Sequence, residues 1–246
     1  MIGVEQQGPV TIVALKRPPA NAMNIEFLEQ IAAVFDRLGR DSSLRSIVLT
    51  GHGKSFSAGV DLKAVPHYSD ADQRRMLTAL NRAFLAVYGF PAPVIGAING
   101  HAIAGGLVLA LCCDWRIAVS TQFLAGLTEV RVGVRYPVAA IEIVRQELRP
   151  EVVRKLVLFA HNMSGTAALD AGVFDEMVDP ESLMERAVAK AAEFAALPTA
   201  VFAKTKQQLR AKVSGTIEAA IGGAEPLLNG WLSEQTIRAA AAVLKG

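Results

Sequence analysis

The chain has 246 residues, 52% of them apolar, which is too many for disorder and enough to bury a large core within one domain. Its 25 basic and 23 acidic side chains nearly cancel, so no basic footprint points to a nucleic-acid partner.

Taken from the N-terminus, residues 1–8 lack the basic and then apolar pattern of a secretory leader. Ile2 to Gln6 and Val10 to Leu15 predict a β-hairpin about Gly8 and Pro9, ended by Arg17, Pro18 and Pro19. Asn24 is placed to cap a helix whose apolar face carries Phe27, Leu28, Ile31, Val34, Phe35 and Leu38. Ser46 to Thr50 predicts a buried strand, followed by a glycine-rich loop from Gly51 to Gly59. Asp70 or Asp72 begins a second helix with Leu77, Leu80, Phe84 and Val87 on its inner face. Pro93 to Ile98 repeats the pattern as a strand, Gly100 to Gly106 as a loop and Leu107 to Cys113 as a buried helix, before a strand from Trp115 to Val119. Strand, loop and helix in repeated order predict a layered α/β core.

Cys112 and Cys113 are sequence neighbours in an apolar run, a poor arrangement for a disulfide and too small a set for zinc. Reduced buried thiols imply a reducing compartment, and no apolar run approaches the roughly 18 residues of a membrane span. A cytoplasmic location without a membrane partner is therefore expected. After Pro137 the pattern is almost wholly helical, giving an expected division into an α/β core, 1–190, and a C-terminal helical region, 191–246. The alanine-rich stretches Pro180 to Ala196 and Ser233 to Leu244 suggest a subunit interface or a lid.

The two glycine loops hold the chemical interest. One runs through Ser55, Phe56, Ser57, Ala58, Gly59, Val60 and Asp61 to Lys63, the other from Asn99 through Gly105 to Gly106. Small residues at a loop tip leave backbone N–H groups uncovered, and two such groups converging make an oxyanion hole. Neither loop carries the P-loop or the dinucleotide fingerprint.

Arg17 and Pro18 followed by Asn21, Ala22, Met23 and Asn24, then Ser55 to Lys63, Ile98 to Asp114 and Leu127 to Gly133 together resemble the ordered motifs of the crotonase superfamily, the enoyl-CoA hydratases and isomerases. The resemblance covers nearly the whole chain. It implies an α/β spiral of repeated ββα units with C-terminal helices that assemble a homotrimer or a dimer of trimers. It implies an acyl-CoA substrate and no separate cofactor, coenzyme A being part of the substrate. Ala58 and Gly105 match the pair whose N–H groups hold the thioester oxygen. Ala58, Gly59, Val60 and Asp61 match the stretch that contacts coenzyme A. Lys63 either meets its phosphates or is a solvated surface lysine.

Family hydratases commonly use two glutamates. Glu129 matches one; Val108 stands where the other would be and carries no proton. Glu129 is either the base or a carboxylate salt-bridged to Arg131. One base suffices to move a double bond from position 3 to position 2, whereas hydration must both activate water and deliver a proton. The chain departs from the pattern twice more: the spacing from Phe123 to Glu129 is two residues longer, and Val134 to Ala140 replaces a glycine-rich segment. Val108 and Tyr136 are expected to line the acyl pocket, while Glu142 reads as a helix-surface glutamate. His52, His67, His101 and His161 have no metal-ligand spacing, and Ser57 has no triad partners. Lys204 and Lys206 are candidates for a phosphate or a plain helix face, and Trp231 for a core cap. Competing readings are an acyl-CoA-binding protein without turnover and a crotonase-type decarboxylase or thioesterase.

Overall fold

The alternating β-branched run at the N-terminus forms an antiparallel hairpin of β1 (Ile2–Gln7) and β2 (Val10–Leu15), turning at Gly8 with φ +57°. The structure, a computed structural model, describes residues 1–228, 230–232 and 236. The continuous apolar runs become central parallel strands: β3 (Ser46–Gly51), β5 (Val94–Ile98) and β7 (Trp115–Val119). With β10 (Glu176–Val178) they complete a six-stranded sheet ordered β1-β2-β3-β5-β7-β10. Its strands after β1 run parallel.

Each glycine loop hides a short strand that period-2 reasoning passes over at three residues. These are β4 (Ser55–Ser57) and β6 (His101–Ile103), which join β8 (Leu124–Gly126) and β9 (Met163–Ser164) in a second sheet ordered β4-β6-β8-β9. Successive turns of the chain thus give one strand to the large sheet and the next to the small one: β3 and β4, β5 and β6, β7 and β8. That is the expected spiral. The stretch after Pro137 is less uniformly helical than expected, since it supplies β9 and β10.

Helix α1 (Ile25–Leu38) begins where Asn24 Oδ1 accepts the Phe27 N–H at 3.0 Å, and it buries Phe27, Leu28, Ile31 and Phe35. Helix α2 (Asp70–Tyr88) starts from a capping box of Ser69 and Asp72 and packs on α1. The short α3 (Gly105–Leu111) is buried throughout. Then come α4 (Val138–Glu147), α5 (Pro150–Val153) with a π-helical turn, α6 (Gly165–Asp170), α7 (Leu183–Ala195) and α8 (Thr199–Ala219). Helix α7 lies on the large sheet and runs unbroken past residue 190, so the expected division between core and helical region falls inside one helix. Apart from Thr236, the alanine-rich tail Ser233 to Leu244 lies outside the described residues.

Helix α8 is fastened by a buried charge cluster. Lys206 Nζ lies 2.7 Å from Asp114 Oδ2, and Arg210 Nη1 lies 3.0 Å from Asp114 Oδ1 and donates to the Tyr88 carbonyl at 2.7 Å. The Arg210 guanidinium also stacks 4.0 Å from the Tyr88 ring centroid. Cys112 and Cys113 are unpaired and buried beneath it. No helix among the described residues is long and apolar enough to cross a membrane.

Candidate active site

The segment after β2 sets the first loop. Asn21, 1% exposed and at φ +51°, directs its amide at the carbonyls of His52, Ser55 and Phe56 at 3.0–3.1 Å. Its Oδ1 accepts the Arg17 N–H at 3.0 Å. Asparagine tolerates the left-handed region, and here its side chain fixes the end of β4. Ser57 Oγ donates to the Asn21 carbonyl at 2.8 Å and accepts the Gly59 N–H at 3.2 Å, a scaffolding role. Arg17 spans the loop, reaching the Ala22 carbonyl and Asp61, both at 2.7 Å.

This network decides which amides are free. Ala58 N–H donates to the Ala20 carbonyl at 2.9 Å, Asp61 N–H to the Met23 carbonyl at 2.9 Å, and Gly59 N–H is held by Ser57. Val60 bridges Met23 in parallel register, which turns its own N–H away from that partner. Among the described residues the Val60 amide has no acceptor. The expectation that Ala58 supplies an oxyanion donor is therefore corrected. Its hydrogen is committed to the backbone, and the free amide sits two residues further on.

The second loop meets the first at Gly59. Ala104 adopts φ +52° and ψ −129°, a strained conformation for an L-residue, while its N–H is tied to the Gly126 carbonyl at 2.7 Å. That turn carries the chain from β6 straight into α3, leaving the Gly105 N–H at the helix start, where no intrahelical acceptor exists. A Cβ on Gly59 (φ +76°) would fall 2.7 Å from the Ile103 carbonyl and 2.9 Å from the Gly105 nitrogen. Only glycine permits so close an approach.

Between the loops lies a cavity of about 380 Å³, lined by Ala58, Val60 and Leu62, by Ile103 and Ala104, and by Glu129, Val132 and Val134. Glu129 is 7% exposed, and its Oε2 has no hydrogen-bond partner among the described residues. Burial pushes its carboxyl up from 4.5 to about 7, opposed in part by its own backbone N–H and then by the nearby Tyr136 hydroxyl. Tyr136 is itself raised by burial first and by the Glu129 charge second. The two groups perturb one another without reaching hydrogen-bond geometry. No ion pair joins Glu129 to Arg131, although Arg131 lines the same cavity, so the salt-bridge reading is not what the fold builds.

The other expected residues sort as follows. Val108 is fully buried inside α3 and does not line the cavity, a correction to the acyl-pocket expectation, and Tyr136 backs Glu129 rather than forming the wall. The apolar wall comes instead from Val60, Leu62, Ile103, Val132 and Val134. Lys63 is exposed. Glu142 pairs with Arg145 at 3.0 Å on the α4 surface. Lys206 is consumed by Asp114 and is not free for a phosphate; Lys204 lines a separate cleft of about 720 Å³ between α1, α2 and α8. His101 Nδ1 accepts the Leu124 N–H at 3.1 Å. Trp231, 1% exposed, donates to the Arg135 carbonyl at 2.9 Å and caps the core. Among the described residues no group of three or more His, Cys, Asp or Glu side chains could hold a metal ion.

Two mostly parallel sheets built turn by turn, with apposed glycine loops and a desolvated acid between them, define the crotonase fold. The enoyl-CoA hydratase/isomerase family model matches residues 5–243. A short-chain-enoyl-CoA hydratase of Clostridium acetobutylicum is 31% identical over 75% of this chain and 71% of its own. The human mitochondrial enoyl-CoA delta isomerase 1 is 28% identical over 82% of this chain and 67% of its own. The crystal structure of human mitochondrial delta3-delta2-enoyl-CoA isomerase superposes with a TM-score of 0.87 at 25% identity, covering 99% of this chain and 96% of that one. The chain belongs to the enoyl-CoA hydratase/isomerase family and is an enzyme of that class.

Proposed function

We propose that the enzyme converts 3-enoyl-CoA to 2-enoyl-CoA, with Glu129 as the single acid–base residue and the Val60 and Gly105 amides as the oxyanion hole. The observation that carries this reading is one desolvated carboxylate in the cavity, with valine at the position where a second would stand. Ionised Glu129 takes a proton from C2, and the electron pair moves through the new enol C=C to the carbonyl oxygen. Two preorganised N–H donors facing that oxygen stabilise the dienolate, each by about 3 kcal/mol. The same carboxyl then returns the proton to C4 as the oxygen charge collapses, leaving the double bond between C2 and C3. A group titrating near 7 suits both directions of transfer.

The substrate enters as an acyl-CoA thioester, the stretch from Ala58 to Asp61 with Lys63 lying along the coenzyme, and the aliphatic wall receives an unfunctionalised acyl chain. Assembly as a trimer or a dimer of trimers, in a cytoplasmic setting, belongs to the same reading. The test is Glu129→Gln assayed with a 3-enoyl-CoA: the rate of 2-enoyl-CoA formation should fall at least a thousandfold with acyl-CoA binding retained. An unchanged rate would remove Glu129 from the mechanism.

A further inference from the structure

Helix α4 begins immediately after Tyr136 and Pro137, and Pro137 offers no side-chain cap. Its first two amides are instead capped by residues remote in the chain. Val138 N–H donates to Glu225 Oε2 at 3.0 Å, and Ala139 N–H to Asn81 Oδ1 at 2.9 Å. Asn81 Nδ2 closes the arrangement by donating to the same Glu225 oxygen at 2.9 Å, while Glu225 Oε1 accepts the Leu227 N–H at 3.3 Å. Asn81 is 0% exposed and Glu225 5%. A carboxylate so buried is tolerated because every contact to it is a donor and the helix N-terminus faces it.

The same stretch is held twice more from the C-terminal side. Trp231 Nε1–H donates to the Arg135 carbonyl at 2.9 Å and Thr236 Oγ1–H to the Gly133 carbonyl at 2.6 Å. The stretch from Gly133 to Ala139 is therefore pinned at four backbone atoms by α2 and by the chain after α8. The pinned stretch carries Tyr136, and Tyr136 backs the Glu129 carboxyl.

We propose that Asn81, Glu225 and Trp231 are positioning residues that fix the start of α4 so that Tyr136 seals Glu129 from water on the side away from the substrate. The proposal rests on Glu129 being the base. Glutamine at 225 keeps the size but sets an NH₂ group against a donor in either amide orientation, at Leu227 N–H or at the Val138 and Asn81 donors, and removes the charge that faces the helix start, so the cap weakens without a cavity.

The experiment compares wild type, Glu225→Gln and Trp231→Phe, each checked for folding by circular dichroism. Steady-state kinetics with a 3-enoyl-CoA is paired with a carbon-13 NMR titration of the Glu129 carboxyl, identified by its absence in Glu129→Gln. In Glu225→Gln, kcat should fall at least tenfold, KM should stay within twofold, and the Glu129 midpoint should drop by half a pH unit or more as water reaches it. Trp231→Phe, which keeps an aromatic ring but loses the indole N–H and the volume of its second ring, should move kcat and midpoint the same way, and it decides the matter should Glu225→Gln not fold. A folded variant with kcat and midpoint unchanged overturns the proposal. So does a loss of activity that only follows loss of folded protein at a fixed midpoint. Activity surviving in Glu129→Gln would instead overturn the base assignment, while the NMR midpoint would still decide the positioning.

Discussion

An ordinary glutamate is almost fully ionised at pH 7, and its basicity is correspondingly low. Glu129 reaches about 7 because Val132, Val134 and the loop residues exclude water while no cation compensates. The linkage has a definite sign. An unfolded glutamate titrates near 4.5, so the folded state favours the neutral acid; the stability this group contributes is full below pH 4.5 and is lost as pH rises through about 7. Glu129→Gln, which mimics the neutral form, should match wild type at pH 4 and exceed it above pH 7.5 by on the order of 3 kcal/mol. Urea unfolding from pH 4 to 8.5 measures the gap; a difference that does not change with pH would contradict the desolvation account. An active-site acid held at a cost to stability is the usual trade between function and fold.

The elements are placed by a few long-range polar contacts as much as by the apolar core. Asp114, in the turn between α3 and β7, accepts the Val94 N–H at 2.8 Å and pairs with both Lys206 and Arg210 of α8. Burial lowers the Lys206 pKa, and the Asp114 charge opposes that shift. Asp114→Asn would strand the buried Lys206 and leave Arg210 with Glu147 alone, 3.5 Å away, and removal of one partner from such a cluster typically costs about 3–5 kcal/mol. Urea titration should show a lower midpoint at an unchanged slope, whereas a midpoint equal to wild type would mean the cluster contributes nothing net. Loops behave in the same manner: the Asn21 amide ties the segment after β2 to the first glycine loop and its strand β4.

At the scale of the molecule, one continuous apolar cluster runs from the hairpin through both sheets to Trp231. Cys112 and Cys113 belong to it, and burial raises Cys112 well above the thiol range and Cys113 to about 12. Neither should react with a thiol reagent at pH 8 until the whole chain opens. Labelling in increasing urea is therefore expected to follow the global unfolding curve measured by circular dichroism. Labelling well before that transition would show that α8 detaches as a separate unit.

The sequence by itself determined the layered α/β architecture, because apolar runs, asparagine and serine caps and glycine turns are local signals with local causes. It also determined the single retained carboxylate, since composition at Glu129 and Val108 needs no coordinates. Only the tertiary structure decided which amide is free in the first loop: Ala58 and Val60 differ by which hydrogen the segment from Ala20 to Met23 takes, a fact of pairing register that spacing does not encode. The wall of the cavity was likewise illegible, since Val108 and Val132 are both apolar and their facing depends on how α3 enters the core. Asn81 and Glu225 carry no motif at all. They meet across 144 residues, and the helix they cap gives no sign in its own sequence that its first donors are satisfied elsewhere.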